Sequence, residues 1–370
     1  MSSVDPIALP DGRKVWLVSR YDEARQVLTD PRLSNDTRKM GDQAPLAALP
    51  ESVQAAVASD MLNCDPPAHT RLRRLVAPTF TVRRIAEHRP RIERIAHELL
   101  DACGAEADLV EDFAGPLATR VLGELIGMDP EDAPDVRRWS DMFVMELLTL
   151  SEEVMAATAS LSEYAADLVR RRRDEPRDDM VTRLISLRDS GDRLSDDELS
   201  SMVFILMIAG QTATAQLLAK GLHLLLTNPD QLTALREKPD LVPSAVQETL
   251  RIDPSLQMSA FRMATEPVEV DGITIPRGDI VLCSLLAANH DAERFPEPER
   301  FDVRRRDNQH LAFSHGIHRC LGANLAELQA QVGIAVFAER FPHALLRAED
   351  VSWRQTPLVN VLTTLPVELS

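Results

Sequence analysis

The sequence predicts a mainly α fold with a small β portion, organised as one domain over residues 1–370. Three patterns carry that expectation. Helix-period spacing begins at Tyr21 and dominates to about residue 250. Within it lies one long, well-capped apolar helix. Short β-rich arms with turn residues stand at the front and again after Arg251. The chain is 44% hydrophobic and 27% charged, the balance of a globular domain and not of a disordered one. A net charge of −17 argues against a nucleic-acid partner.

Taken in order, IALPDGRKVWLVS alternates around Pro10-Asp11-Gly12 and predicts a hairpin. The helical region that follows is broken near 41–50, 129–135 and 174–179 by Pro, Gly and Asp clusters. Its clearest helix opens at LSDDEL. Ser195 and Glu198 have the spacing of a capping box, and Leu194 with Leu199 can form the hydrophobic staple around it. The pattern runs to Thr227, where Asn228-Pro229 stops it. That is about 32 residues and ~48 Å at 1.5 Å per residue. Its middle is apolar on every face, which places it in the centre of the molecule. Beyond Arg251, VEVDGITIPRGDIVLCSLL has β-rich arms around Asp271-Gly272 and a second turn at Pro276-Arg277-Gly278. A proline-rich loop, RFPEPERFD, and a last helix follow.

Cys64, Cys103, Cys283 and Cys320 lack C-x-x-C spacing, so neither zinc nor an iron–sulfur cluster is expected. The N-terminus has no secretory pattern, and the apolar run at 202–210 is shorter than the roughly 20 residues a bilayer needs. These features predict a soluble, cytoplasmic, thiol-reduced protein with no membrane contact.

One stretch carries chemistry: FSHGIHRCLGANLAELQ, residues 313–329. Leu325, Leu328, Val332 and Ala335 recur at helical spacing, so a helix begins close to Cys320. Unpaired N–H groups and the helix dipole there favour a thiolate. Gly316 and Gly322 remove side chains on either side, as a flat group approaching the backbone requires. By itself this spacing also fits a small buried thiol that happens to precede a helix.

Phe313, Gly316, His318, Cys320 and Gly322 fill F-x-x-G-x-H-x-C-x-G, which resembles the heme-binding signature of cytochrome P450 enzymes. Leu325-Ala326 continues it in the form common among bacterial members. Glu248 and Arg251 resemble the family's E-x-x-R, and Arg300 in Pro298-Glu299-Arg300-Phe301 resembles the arginine completing that buried triad. The landmarks follow family order from about residue 14 onward. The resemblance implies the P450 fold, with a long central helix over a buried heme b. It makes Cys320 the axial thiolate, whose electron donation favours O–O cleavage. It makes His69 and Arg73, four apart in HTRLR, and Arg262 and His318, partners of the heme propionates.

The central helix departs from the family pattern. Ala209 and Gly210 match its small residues, which let oxygen and substrate lie against the helix. Thr212 stands where an acid is expected, Ala213 where a threonine is expected, and Thr214 matches the next position. Protons must reach oxygen through ordered groups, and alanine orders nothing. Either Gln211, Thr212, Thr214 and water form a substitute relay, or a polar group of the substrate completes it, or the enzyme couples or cyclises its substrate without inserting oxygen. A heme-binding sensor is the non-enzyme alternative.

The family's usual N-terminal extension is expected to be shortened. Arg71, Arg73, Arg74, Arg83, Arg84 and Arg319 form either a docking patch for an acidic ferredoxin or a solvated helix face. The resemblance implies a monomer served by ferredoxin and ferredoxin reductase, acting with O2 on an organic small molecule of secondary metabolism. Substrate-lining segments are expected at 45–63, 203–214, Leu256 to Phe261 and Leu358 to Asn360, with Gln211, Gln257 and Asn360 as polar contacts.

Overall fold

The computed structural model describes residues 3–44, 47, 54, 59–146, 151–189 and 194–369. The predicted front hairpin forms from β1 (Val4–Ala8) and β2 (Lys14–Val18), with Ile7 opposite Val15 and Gly12 at φ 83° in the turn. It joins β3 (Leu33–Ser34), β4 (Arg262–Ala264) and β7 (Ile280–Cys283) in a sheet ordered β1-β2-β7-β4-β3. Strand β2 runs parallel to β7, and every residue of β7 is buried. Helix α1 (Tyr21–Thr29) packs its Ala24, Val27 and Leu28 into the same core. Between β4 and β7, β5 (Val268–Val270) and β6 (Ile273–Ile275) form the predicted hairpin. Asp271 and Gly272 have φ of 48° and 74°, the two left-handed positions that such a two-residue turn needs.

The helical part is built mainly from α2 (Ala68–Val76), α3 (Arg89–Ala102), α4 (Gly115–Ile126), α5 (Ala133–Glu146) and α6 (Glu152–Asp174), with shorter helices between. The capping box predicted at Ser195 is present: Glu198 N–H donates to Ser195 Oγ at 3.1 Å, and Ser195 N–H donates to Glu198 Oε2 at 2.9 Å. Leu194 and Leu199 are buried beside it.

The expected single long helix is two. Helix α7 (Asp196–Gly210) ends at Gln211, whose φ of −99° and ψ of −77° interrupt the regular ladder, and α8 (Thr212–Thr227) starts beyond it. Gln211 takes over part of the lost bonding, its amide donating to the Met207 carbonyl at 3.2 Å. The 32 residues from Asp196 to Thr227 are long and apolar enough to cross a membrane, but 78% of their most apolar window is buried within the protein. Helix α8 packs on α9 (Val242–Ile252) and α10 (Ala323–Arg340). A C-terminal hairpin of β8 (Ser352–Gln355) and β9 (Asn360–Thr364) is pinned to α8 by Gln216, which exchanges two hydrogen bonds with the Leu362 backbone at 2.8 and 3.0 Å.

Glu248 and Arg251 on α9 pair as expected, Nε to Oε2 at 2.8 Å and Nη2 to Oε1 at 2.9 Å, both fully buried. The third member is not Arg300. Its side chain is 56% exposed and bonds Glu297, and only its backbone carbonyl reaches Arg251, at 3.1 Å. Arg305 takes the place, its Nε lying 3.0 and 3.1 Å from the two Glu248 oxygens. The cause is chain direction. Glu297 sits at φ 48° and turns Arg300 outward, and the chain has returned to Glu248 by Asp302, whose N–H also bonds the carboxylate at 3.1 Å.

Candidate active site

The Cys320 loop is closed by its own backbone. Cys320 N–H donates to the Phe313 carbonyl at 2.9 Å, Arg319 N–H to Gly316 at 3.1 Å, and Ser314 N–H to Leu311 at 2.7 Å. Helix α10 then begins at Ala323 with Gly322 as its N-cap. Cys320 is exposed as a residue, yet protein surrounds its thiol closely enough that burial is the largest influence and raises its pKa. The backbone N–H groups of Gly322 and Ala323, with Arg319 and Arg73, oppose that rise without overcoming it. The expected thiolate preference of the helix mouth is therefore present but outweighed by burial.

The two glycines differ in purpose. A Cβ on Gly322 would meet nothing within 4 Å, so the backbone there borders open space as expected. Gly316 has φ 74°, and its Cβ would stand 2.8 Å from the Leu28 carbonyl of α1. That glycine serves the backbone and its neighbour, not an approaching flat group.

Around the thiol the structure gathers the other predicted ligands. His69 on α2 is 3% exposed, and its ring lies 4.4 Å from that of His318. Among the described residues neither ring nitrogen of His69 finds a hydrogen bond of good geometry, although the Ile317 backbone favours its charged form against burial and Arg73. Burial, then Arg262 and His69, push His318 down to about 3. Arg262 on β4 is 4% exposed; its Nη1 makes one long contact to Leu33 at 3.4 Å, and its Nε has no partner among the described residues. Arg73 donates to the Arg319 carbonyl at 2.6 Å. Asp65, a nearby carboxylate, is already held by Ser34 at 2.5 Å, Asn35 N–H at 3.0 Å and Lys39 at 2.8 Å. The buried, unpaired nitrogens of His69 and Arg262, with the half-buried guanidinium of Arg73 beside them, fit an anionic group such as the paired carboxylates of heme.

On the central helices the predicted residues separate. Ala209 is exposed within an otherwise buried stretch. Gly210 instead turns to α4, where its Cβ would lie 3.0 Å from both methyls of Leu122, so its small size serves helix packing. Gln211 is 1% exposed, accepting from Thr119 Oγ1 at 3.2 Å as well as donating to Met207, which together fix the orientation of its amide. Thr212 Oγ1 donates to Asp141 on α5 at 2.7 Å. The Ala213 carbonyl accepts from Ser255 Oγ at 2.7 Å, and Thr214 is buried. Asp141 and Ser255 carried no signal in sequence, being neighbours only through folding. Of the expected lining segments, 256–261 and 358–360 meet, with Leu256 bridged to Val359 and Gln257 N–H donating to Leu358 at 2.9 Å. The 45–63 segment lies largely outside the described residues. Arg71 pairs with Glu198 of the capping box and so drops out of the basic patch.

A cysteine held by a closed loop, near a buried arginine and histidine with unpaired nitrogens, fits a heme-thiolate protein. The cytochrome P450 family model matches residues 131–369. The 6-deoxyerythronolide B hydroxylase of Saccharopolyspora erythraea is 42% identical over 97% of this chain and 91% of its own length. The tirandamycin C-bound P450 monooxygenase TamI superposes with a TM-score of 0.92 at 40% identity, covering 100% of this chain and 94% of its own. The putative thioether synthase SgvP, of griseoviridin tailoring, superposes at 0.91 with 37% identity, covering 99% and 93%. The chain belongs to the cytochrome P450 family. It is a heme-thiolate monooxygenase whose cofactor is heme b, acting with O2 on organic substrates through redox partners.

Proposed function

We propose that this P450 inserts oxygen into an aliphatic natural product of secondary metabolism, as a cytoplasmic, single-domain monomer drawing electrons from ferredoxin and ferredoxin reductase. The observation that carries the reading is the juxtaposition of Cys320 with the unsatisfied His69 and Arg262 donors. Cys320 would bind the heme iron through Sγ. His69, Arg73, Arg262 and His318 would hold the propionates, with Phe313 and Gly322 bordering the ring. Bound there, the heme supplies oxygen activation and the one-electron chemistry that side chains lack. Ala209 and Ala213 leave the helix face beside the break without bulk. Leu256, which is 43% exposed, and Asn360, whose buried Oδ1 has no partner among the described residues, suit an aliphatic scaffold bearing a polar group.

Oxidative coupling or cyclisation is the second reading, favoured by Ala213 at the usual threonine position and by the likeness to a putative thioether synthase. Reconstituted enzyme, NADPH, a ferredoxin system and isotope-labelled O2 separate the two on a natural-product panel. Label in the product supports insertion. A product that has lost a hydrogen pair and carries no label selects coupling.

A further inference from the structure

The carboxylate missing from the central helix is present in space, contributed by another helix. Thr212 occupies the position where the resemblance leads one to expect an acid, and its hydroxyl bonds Asp141, 71 residues earlier in the chain. A cavity of about 180 Å³ surrounds the pair, lined by Glu111, Thr119, Arg137, Asp141, Gln211 and Thr212 among others. Arg137 spans it, bonding Glu111 at 2.8 Å with its Nε 3.7 Å from Asp141. The Glu111 side chain is 59% exposed and that of Asp141 39%. Protein still encloses the Asp141 carboxyl enough that burial raises its pKa, with Glu111 adding to the rise and the Thr212 bond and Arg137 opposing it. Both facts hold together because the carboxyl lines the cavity. A part-exposed carboxyl thus connects the cavity to a hydroxyl at the break in the helix, with Arg137 between it and Glu111.

We propose that Asp141 is the proton source for this enzyme, acting through Thr212 Oγ1 at the break beside Gln211 and toward the face carrying Ala209 and Ala213. The proposal deepens the monooxygenase reading and rests on it. Monooxygenation consumes two protons and two electrons with each O2 and releases water; the electrons come from the redox partners. For each proton, Thr212 Oγ1 accepts from the Asp141 carboxyl as it releases its own inward, and the carboxylate, which is 39% exposed, regains a proton from solvent in the cavity. Arg137 stays charged and transfers nothing; it holds the two carboxylates in line. Gln211 is left out of the route because its amide has no readily exchanged acidic proton, while Thr119 and Met207 fix its orientation.

Asp141→Asn keeps the shape and the acceptor for Thr212 while removing the proton. The probe is NADPH-driven oxygen reduction by the substrate-free holoenzyme, which draws protons at the same face and needs no knowledge of the substrate. The rate should fall about tenfold or more, with a larger solvent deuterium isotope effect. Thr212→Val should match it, the double variant should be no worse, and Asp141→Glu should recover part of the rate. Infrared titration of the protein should show a protonated carboxyl persisting above the ordinary carboxylate range and absent from Asp141→Asn. An Asn variant with wild-type rate and isotope effect overturns the proposal. So does a fall that tracks lost thermal stability and heme content and that Glu does not recover. Labelled-oxygen insertion tests the monooxygenase reading separately, because substrate-free oxygen reduction does not depend on it.

Discussion

The two sides of the active site are built differently. The Cys320 loop closes largely on itself: its backbone–backbone hydrogen bonds join residues no more than seven apart, as from Cys320 to Phe313, with Arg73 reaching the Arg319 carbonyl from outside. The break at Gln211 is instead held from afar, by Thr119 on α4, Asp141 on α5 and Ser255 beyond α9. A motif can encode the first kind of site, because local spacing sets its geometry. It cannot encode the second, where a substitution in one helix is answered by a side chain in another.

The hardest break of this contrast is Cys320→Ala. It should abolish thiolate ligation and product turnover, read as loss of the thiolate-type spectrum of the reduced carbon monoxide complex. A retained spectrum would place the ligand elsewhere.

Glu248 comes next. Glu248→Ala strands buried Arg251 beside Arg305 and should cost about 3–5 kcal/mol in urea unfolding. Arg300→Ala should cost no more than about 0.5 kcal/mol. A larger loss at Arg300 than at Arg305 would restore the triad expected from sequence.

Gly316→Ala combines left-handed strain with a backbone clash at Leu28 and should cost roughly 3 kcal/mol. Gly322→Ala should leave apoprotein stability nearly unchanged and instead weaken heme retention. Equal stability losses would mean that the two glycines do the same job.

His310 gives a pH test near the local loop. Its Nδ1 accepts from Ala312 N–H at 3.2 Å, so Nε2 carries the hydrogen donated to Gln247 at 3.0 Å. Burial, with Arg319 and Arg251, pushes its pKa from 6.5 down to about 4. The unfolded chain therefore binds the extra proton between those values, and stability is lost as pH falls from 6.5 toward 4. The loss should be on the order of 2–3 kcal/mol. Other buried histidines add to the slope, so the reading is the difference from His310→Gln, which should flatten it. The smallest effect belongs to the distant side: Ser255→Ala should cost about 1 kcal/mol, with oxygen-reduction kinetics showing whether the break depends on it.

Much of the architecture was legible because short-range chemistry writes it. The Ser195–Glu198 box, the Asp271-Gly272 turn and the front hairpin are each decided by residues a few positions apart. The Cys320, His69, Arg262 and His318 set was legible only through family resemblance, since those residues come from a loop, α2 and β4. The failures share one cause. Arg300 and Arg305 stand in the same arginine-rich loop, and only the left-handed turn at Glu297 decides which of them faces Glu248. Gly210 and Gly316 looked like room for a cofactor, until Leu122 and the Leu28 carbonyl proved to be what approaches them.

By itself the sequence determined the mainly helical class, the caps and turns, the cysteine at the mouth of α10 and the absence of an acid at Thr212. Only the tertiary structure decided that the central helix breaks at Gln211, that Arg305 completes the Glu248 network and that Asp141 answers Thr212. Backbone propensity and capping act over a few residues and can be read along the chain. Charge pairing and close packing act over a few ångströms in space, between residues that the chain itself keeps far apart.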